Sequence, residues 1–291
     1  AEALIAFQRA AELDPTRADT QLKLGMVLMK SGRPEEGQKA IEASMRLNPA
    51  RQQIAKAVEF ERDGQPASAE KIYRQILTKD PDNVEALRCL ATIATNNRHY
   101  GDAEVFLQRA VDLVPEFGRA RAELVRVQLE RDRFAEAVKN AGRLVRLDDK
   151  HADSYLLLAS AHAAAGSYDE AIDAYELTLD RANGHRGALT GLGNMLKTVG
   201  RHADAVTVYR QCIQLHPDFA EAYWSLANLK TFRFEDVEVE AMEALLESDD
   251  LSAESIVQLH NALGLHYEAR HEYERAFDFF ERGNELRRQS E

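Results

Sequence analysis

Apolar positions recur along the chain with a period that is close to 34 residues. Small residues that mostly follow a large apolar one form the first series: Gly25, Ala57, Ala91, Ala159, Gly193, Ala227 and Gly264, with Val125 as the exception. A second series of small residues is followed four positions later by a bulky one, as in the pairs Gly37–Ile41, Ala69–Tyr73, Ala103–Leu107, Ala171–Tyr175 and Ala205–Tyr209. Residues four apart share a helix face, and small residues allow close helix crossings. The pattern therefore predicts two packed helices in each repeat.

Turn-forming residues separate these predicted helices at the same period. One series consists of Pro15, Pro49, Pro81, Pro115 and Pro217, with Asp149 and Asn183 at the skipped places. A second series lies between the two helices of a repeat and consists of Gly32, Gly64, Gly166 and Gly200. Glycine adopts the left-handed conformation that often ends a helix at little energetic cost. We therefore expect these glycines to terminate first helices.

These series together resemble the tetratricopeptide repeat family over essentially the whole chain. The resemblance implies an all-α fold, a right-handed superhelix of antiparallel helix pairs, in which the first helix of each pair lines a concave groove. We expect a regular solenoid over residues 1–219, with half a repeat before Arg17 and six full repeats up to Phe219. Residues 220–291 are expected to continue the same domain with irregular helix pairs and a connector. Because the chain opens on a second helix, further repeats are expected upstream.

The repeat register shifts after Pro217. The first helix of the repeat that follows Pro217 is expected to continue through Lys230. The next pair of a small and an aliphatic residue is Ala241 and Leu245, which is two residues later than the 34-residue period requires. The two extra residues are therefore expected near Thr231 to Phe234. A final helix pair is predicted at Ser252 to about Arg270 and Tyr273 to about Arg288, with Ser252 as an N-cap.

Two segments of this region resemble bacterial tetratricopeptide-linked sulfotransferases. They are Tyr223–Phe234, the last regular repeat, and Phe279–Arg288, the connector. In that family a catalytic domain follows and binds the phosphosulfate donor PAPS, so the resemblance implies a catalytic domain after Glu291. The chain itself has no glycine-rich phosphate loop, and we expect no cofactor to bind to it.

Composition narrows the function classes. The formal net charge of −12 disfavours nucleic-acid binding, and the sequence contains no apolar run long enough for a membrane span. Two cysteines are too few for a disulfide framework, so a reducing, cytoplasmic compartment is expected.

The sequence gives only weak signals for a catalytic or metal-binding site. His260, His266 and His271 are spaced six and five apart, which does not place them on one helix face as zinc ligands. Cys89 and Cys212 are interpreted as small buried hydrophobes. The acidic stretch 235–254 is interpreted as the solvated face of one helix, with a docking surface for a basic partner as the alternative.

The family geometry implies that function lies on the first-helix residues that face the groove. The candidates are Arg88, Arg119, Arg126, Asn194, Lys197, Trp224 and Asn228, with Thr92, Leu156, Ser160 and Thr190 beside them. An asparagine can pair with a peptide backbone whatever the neighbouring side chain, as in the repeats of O-GlcNAc transferase. Trp224, the only tryptophan, is either a ligand anchor or packs on Phe232 and Phe234.

These features predict a scaffold that binds a protein or peptide and has no catalytic residues of its own. The leading hypothesis is the substrate-recruiting region of a sulfotransferase. The alternatives are a free-standing adaptor and the repeat half of an O-GlcNAc-transferase-like glycosyltransferase.

Overall fold

The fold was examined in a computed structural model of the 291-residue chain. The structure describes residues 2–229, 232–248 and 251–290. Lys230 and Thr231, which the sequence pattern places in a helix and its connection, lie outside the described residues. The side chain of Ala3, at the start of the alanine series, does so as well.

The described residues form seventeen α-helices and no strand, which confirms the all-α class and the helix pairs. The helices are α1 Glu2–Leu13, α2 Ala18–Lys30, α3 Pro34–Leu47, α4 Pro49–Arg62, α5 Pro66–Lys79, α6 Val84–Asn96, α7 Tyr100–Leu113, α8 Gly118–Glu130, α9 Phe134–Leu147, α10 Ala152–Ala164, α11 Tyr168–Arg181, α12 Arg186–Thr198, α13 His202–Leu215, α14 Ala220–Ala227, α15 Asp236–Leu246, α16 Ala253–Ala269 and α17 Tyr273–Ser290. Across the described parts of the chain, no helix combines the length and the apolar character that a membrane crossing requires.

The chain divides into two compact units, residues 1–120 and 121–291. In the first unit, α2 packs on α3, α4 on α5 and α6 on α7. In the second, α10 packs on α11, α12 on α13 and α16 on α17. Each unit is thus built from consecutive helix pairs, with the core between the two helices of a pair and between neighbouring pairs.

Small residues lie where the two helices of a pair cross most closely. A Cβ atom added to Gly25 would lie 2.7 Å from Cγ1 of Ile41, and one added to Gly264 would lie 2.6 Å from Cε1 of Phe280. At Gly193 the added atom would overlap the ring of Tyr209. These contacts confirm that the bulky series fills the space above the small series, as close interior packing requires.

The connection inside each pair carries one residue in the left-handed conformation. The four predicted glycines adopt it, with φ between 73° and 84°. Three other residues, Arg98, Asp132 and His271, occupy the same conformation with φ of 59°, 55° and 62°. The turn geometry is therefore kept in pairs whose sequence lacks the glycine.

The region after Pro217 departs from the sequence prediction. Helix α14 ends at Ala227, with Asn228 as its C-cap, instead of continuing to Lys230. On α15 the predicted inward residue Ala241 is exposed, whereas the adjacent Met242 is fully buried. Neighbouring residues on a helix point about 100° apart, so α15 is turned by about that angle from the repeat register. Its expected place beside α14 is taken by α16, on which α14 packs.

Helix α15 is held in this position by ionic contacts. Nη2 of Arg210 on α13 lies 2.9 Å from Oε1 of Glu235, and its Nε lies 3.0 Å from Oε1 of Glu238. The hydroxyl of Tyr267 donates to Oε1 of Glu243 at 2.9 Å. Part of the acidic stretch is therefore paired within its own unit and is not a uniformly solvated face.

Candidate functional site

The candidate site lies on three neighbouring first helices of the second unit. Helix α12 packs on both α10 and α14, so the three run side by side. Ser160, Asn194 and Asn228 occupy equivalent positions on them, 34 residues apart, and none is buried. We call these three residues the polar row. Arg126 on α8 is the equivalent residue one repeat earlier, and it is exposed.

Asn194 is held in place by a buried tyrosine. The hydroxyl of Tyr209 donates to Oδ1 of Asn194 at 2.7 Å, and the tyrosine side chain is fully buried. Burial raises the pKa of Tyr209 well above its usual range, so the hydroxyl keeps its proton near neutral pH. The bond uses the carboxamide oxygen and directs the two N–H donors of Nδ2 to other partners. Asn194 is thus an oriented donor on a half-buried surface.

The side chain of Asn228 is bonded to its own helix. Its Nδ2 donates to the carbonyl oxygen of Trp224 at 2.9 Å, at the end of α14. The same carbonyl oxygen also accepts the backbone N–H of Asn228 at 3.1 Å, so the side chain folds back on the last turn of its own helix. The side-chain bond uses one of the two N–H groups of Nδ2, and Oδ1 of the exposed side chain stays available as an acceptor for an incoming N–H group.

Trp224 is half-buried and is not part of the core of the second unit. Phe232 makes its ring contact with Phe234, at a centroid distance of 5.0 Å, and Phe234 also contacts His266. Among the ring contacts of the described residues, none joins Trp224 to either phenylalanine. These ring contacts thus give no support to packing of Trp224 on Phe232 or Phe234, and part of the indole surface is exposed.

The basic candidates fall into two groups. Arg119 and Arg126 on α8 are exposed, and Lys197 on α12 is half-buried. Arg88, in contrast, is buried at 7% exposure; its Nη2 lies 2.7 Å from Oε1 of Glu85. The structure thus gives Arg88 an internal partner, and its place among the groove residues does not fit this burial.

Thr190 is also buried, at 5% exposure, and its hydroxyl donates to the carbonyl oxygen of Arg186 at 3.2 Å. The same i to i−4 bond is made by Thr92 and Ser160, which are half-buried. Leu156 is half-buried as well and packs against the core. The three hydroxyl groups thus donate within their own helices, and Ser160 offers an incoming chain only its oxygen as an acceptor.

An acidic residue borders the tryptophan. Glu221 lies one turn before Trp224 on α14 and is half-buried. Burial, assisted by the nearby Glu254, raises the pKa of the Glu221 carboxyl above its ordinary value, and the charge of Arg186 opposes this shift. The site therefore combines a carboxylate, the amides of the polar row and an indole, with Lys197 nearby.

The two thiols of the chain are held in their protonated form. Cys89 and Cys212 are buried, as predicted, and burial raises the pKa of each thiol to about 11, which suppresses the reactive thiolate. Within the described ranges, no three histidine, cysteine or acidic side chains are placed to hold a metal ion. The residues on this surface can donate, accept and pack, and they can thereby hold an extended chain.

Four models of one family match the chain. All carry the description tetratricopeptide repeat, and they match residues 18–51, 62–116, 122–185 and 188–223. The chain belongs to the tetratricopeptide repeat family. Ser160 lies inside the third of these segments and Asn194 inside the fourth, whereas Asn228 lies five residues beyond the last one.

Curated relatives match over part of their length. The human protein O-mannosyl-transferase TMTC1 is 25% identical over 171 residues, which is 57% of this chain and 19% of the relative. The peroxisomal targeting signal receptor of Kluyveromyces lactis is 24% identical over 231 residues, 78% of this chain and 35% of the relative. The chain thus spans about a fifth to a third of the length of these relatives.

A solved structure of MamA is similar to this repeat array. It superimposes with a TM-score of 0.54 at 25% sequence identity and covers 57% of this chain and 96% of that one. The likeness supports the repeat fold of the chain.

Two features of the repeats were missed by sequence reasoning. The first is the role of Tyr209 in orienting Asn194; the bulky series identified the tyrosine as a packing residue, and only its hydroxyl hinted at more. The second is a buried polar network in which Nη1 of Arg121 donates to Oδ1 of Asn140, whose Nδ2 donates to Oε1 of Gln128, both at 3.0 Å. The sequence carried no signal for this network, because charged residues such as Glu123, Glu130 and Lys139 lie close to its members.

Proposed function

We propose that this tetratricopeptide repeat chain is a scaffold that binds an extended peptide segment of a partner protein along the polar row. The observation that carries the proposal is the orientation of Asn194 by the buried hydroxyl of Tyr209. A half-buried amide that is held by a buried group loses little freedom when a ligand binds, and pre-organisation of this kind favours affinity.

The two asparagines complement a peptide backbone. Asn194 presents N–H donors, which suit a backbone carbonyl, and Asn228 presents an oxygen, which suits a backbone N–H. They are one repeat apart on adjacent helices, so a chain lying across α12 and α14 meets both. Recognition through the backbone tolerates many side chains, and Trp224 adds an apolar anchor beside it.

The relatives agree with a binding role. One of them, by its name, is a receptor for a peroxisomal targeting signal. That function belongs to the relative. The similarity supports the proposal because a protein with a similar repeat array is, by its name, a receptor for a targeting signal.

The proposal is tested by selecting peptides from a random library against the purified chain and measuring their affinity by calorimetry. Trp224→Ala should weaken a selected peptide by at least ~2 kcal/mol, about 30-fold. Asn194→Ala should weaken it by roughly three- to tenfold, the value of one net hydrogen bond.

The matched control is Asn284→Ala, an exposed asparagine on α17. It should leave the affinity unchanged. Tyr209→Phe keeps the amide but removes its anchor, and it should weaken binding by less than Asn194→Ala. Selected peptides that bind all four variants as tightly as the parent would show that the ligand surface lies elsewhere.

A finer proposal is that the repeats recruit an acceptor for a sulfotransferase domain. Its support is the resemblance of Tyr223–Phe234 and Phe279–Arg288 to that family. The relative TMTC1, a mannosyl-transferase by name, favours instead a glycosyltransferase partner domain, and a free-standing adaptor is the third possibility. Reading the gene downstream of the Glu291 codon distinguishes them: a phosphosulfate-loop domain, a glycosyltransferase domain, or neither.

A further inference from the structure

A small, partly open cavity lies beside the proposed peptide site. It has a volume of about 220 Å³ and lies between the end of α14, the segment before α15 and the C-terminal part of α16. Its apolar lining includes Ala227, Phe232, Phe234, Leu265 and Ala269. A cavity of about 150 Å³ is known to accept a benzene molecule, whereas drug-sized ligands occupy about 300 Å³ or more. The volume therefore suits a single aromatic ring.

Three aromatic rings give this cavity a fixed shape. Phe232 and Phe234 meet edge to face, with interplanar angle 86°, and the ring of His266 lies 6.0 Å from that of Phe234. The guanidinium of Arg210 covers Phe232 at 5.2 Å, and its ion pairs with α15 hold it there. Edge-to-face packing of a further ring is favourable in such surroundings.

The cavity also has polar groups. His266 lines the cavity and is 6% exposed. Burial lowers the pKa of His266, so the imidazole is neutral near pH 7 and offers one donor and one acceptor. Arg233 and Glu268 add a cation and a carboxylate to the lining. A ring that carries a hydroxyl group matches this lining better than a plain hydrocarbon.

One residue that lines the cavity lies next to the peptide-site residues on α14. Ala227 lies directly before Asn228 and three residues after Trp224 on the same helix. We infer that the cavity binds the phenol ring of a tyrosine side chain from the peptide that the polar row holds. This inference rests on the proposed function for the source of the ring, while the cavity itself can be tested without any peptide.

The test uses p-cresol, the side-chain analogue of tyrosine, with the full chain and methyl-resolved NMR. We expect saturable shifts of the Ala227, Leu265 and Ala269 methyl signals, and tighter binding of p-cresol than of toluene by about three- to tenfold, the value of one hydrogen bond. Ala269→Leu fills the cavity and should abolish binding. Ala164→Leu changes an exposed alanine that likewise ends its helix, and it should leave binding intact. If Ala269→Leu does not fold by circular dichroism, Leu265→Phe serves as the filling variant.

Further variants distinguish binding in the cavity from binding along the polar row. His266→Phe should retain toluene binding and lose the preference for p-cresol. Trp224→Ala should bind p-cresol normally even though it loses groove peptides, so the two proposals fail independently. Absence of saturable shifts in the parent chain, or shifts that persist in the filled variant, would overturn the cavity assignment. Selected groove peptides that bind equally well after replacement of tyrosine by alanine would overturn its assignment to a peptide side chain.

Discussion

The left-handed residue between the two helices of a repeat provides a sharp test of the fold. Gly166 adopts this conformation with φ of 77°, whereas Arg98 and Asp132 adopt it with φ of 59° and 55°. All three end the first helix of a pair. Arg98→Gly and Asp132→Gly should therefore stabilise the chain, and Gly166→Ala should destabilise it.

The magnitudes follow from the backbone alone. A left-handed conformation costs an L-residue about 1–2 kcal/mol relative to glycine. Glycine, however, gains about 0.4–1 kcal/mol of conformational freedom in the unfolded chain. The net gain for Arg98→Gly is thus about 0.5–1 kcal/mol. Asp132→Gly should gain less, because a short polar side chain tolerates this conformation better. At Gly166 no atom lies within 4 Å of an added Cβ, so Gly166→Ala should lose about 0.5–1 kcal/mol without a steric clash.

The assay is urea unfolding followed by circular dichroism. Variants are compared by the shift of the unfolding midpoint under one set of conditions, because repeat arrays need not unfold in a single step. A change in midpoint at unchanged slope reports a change in stability. A lower midpoint for Arg98→Gly together with a higher midpoint for Gly166→Ala would refute the assigned turn conformation.

Three further predictions address the core, the thiols and pH. Leu192→Ala should lower the free energy of unfolding by about 2–5 kcal/mol, because Leu192 is a core residue at 5% exposure. Arg119 is exposed, and Arg119→Ala should change this free energy by less than about 0.5 kcal/mol. A larger loss for Arg119→Ala than for Leu192→Ala in urea unfolding would contradict the assigned faces. Cys89 and Cys212 should react with a disulfide reagent only after unfolding, since both are buried with the pKa raised to about 11; fast labelling of the native chain would argue against their burial. Burial lowers the pKa of His260 below its ordinary 6.5, so the unfolded chain binds the proton more readily than the folded chain. Stability should therefore fall as the pH drops below 6.5. The urea midpoint of His260→Gln should depend less on pH than that of the parent chain.

Much of the architecture is encoded locally in the sequence. The series of small and bulky residues predicts which helices cross and where, because a pair such as Gly264 and Phe280 leaves room for only one arrangement of two helices. The turn glycines are equally local, since the left-handed conformation depends on the residue that adopts it. The burial of Cys89 and Cys212 likewise followed from their apolar neighbours on one helix face.

The tertiary structure decided the features that depend on a neighbouring helix. Helix periodicity defines a face but not how deeply the next helix covers it, so Arg88 and Thr190 were assigned to an open surface although both are buried. On α15, Ala241 and Met242 are adjacent small and large apolar residues, and the sequence allows either to point inward. The packing of α16 on α14 and the ion pairs of Arg210 selected Met242, because contacts between residues distant in sequence determine how such a helix is rotated.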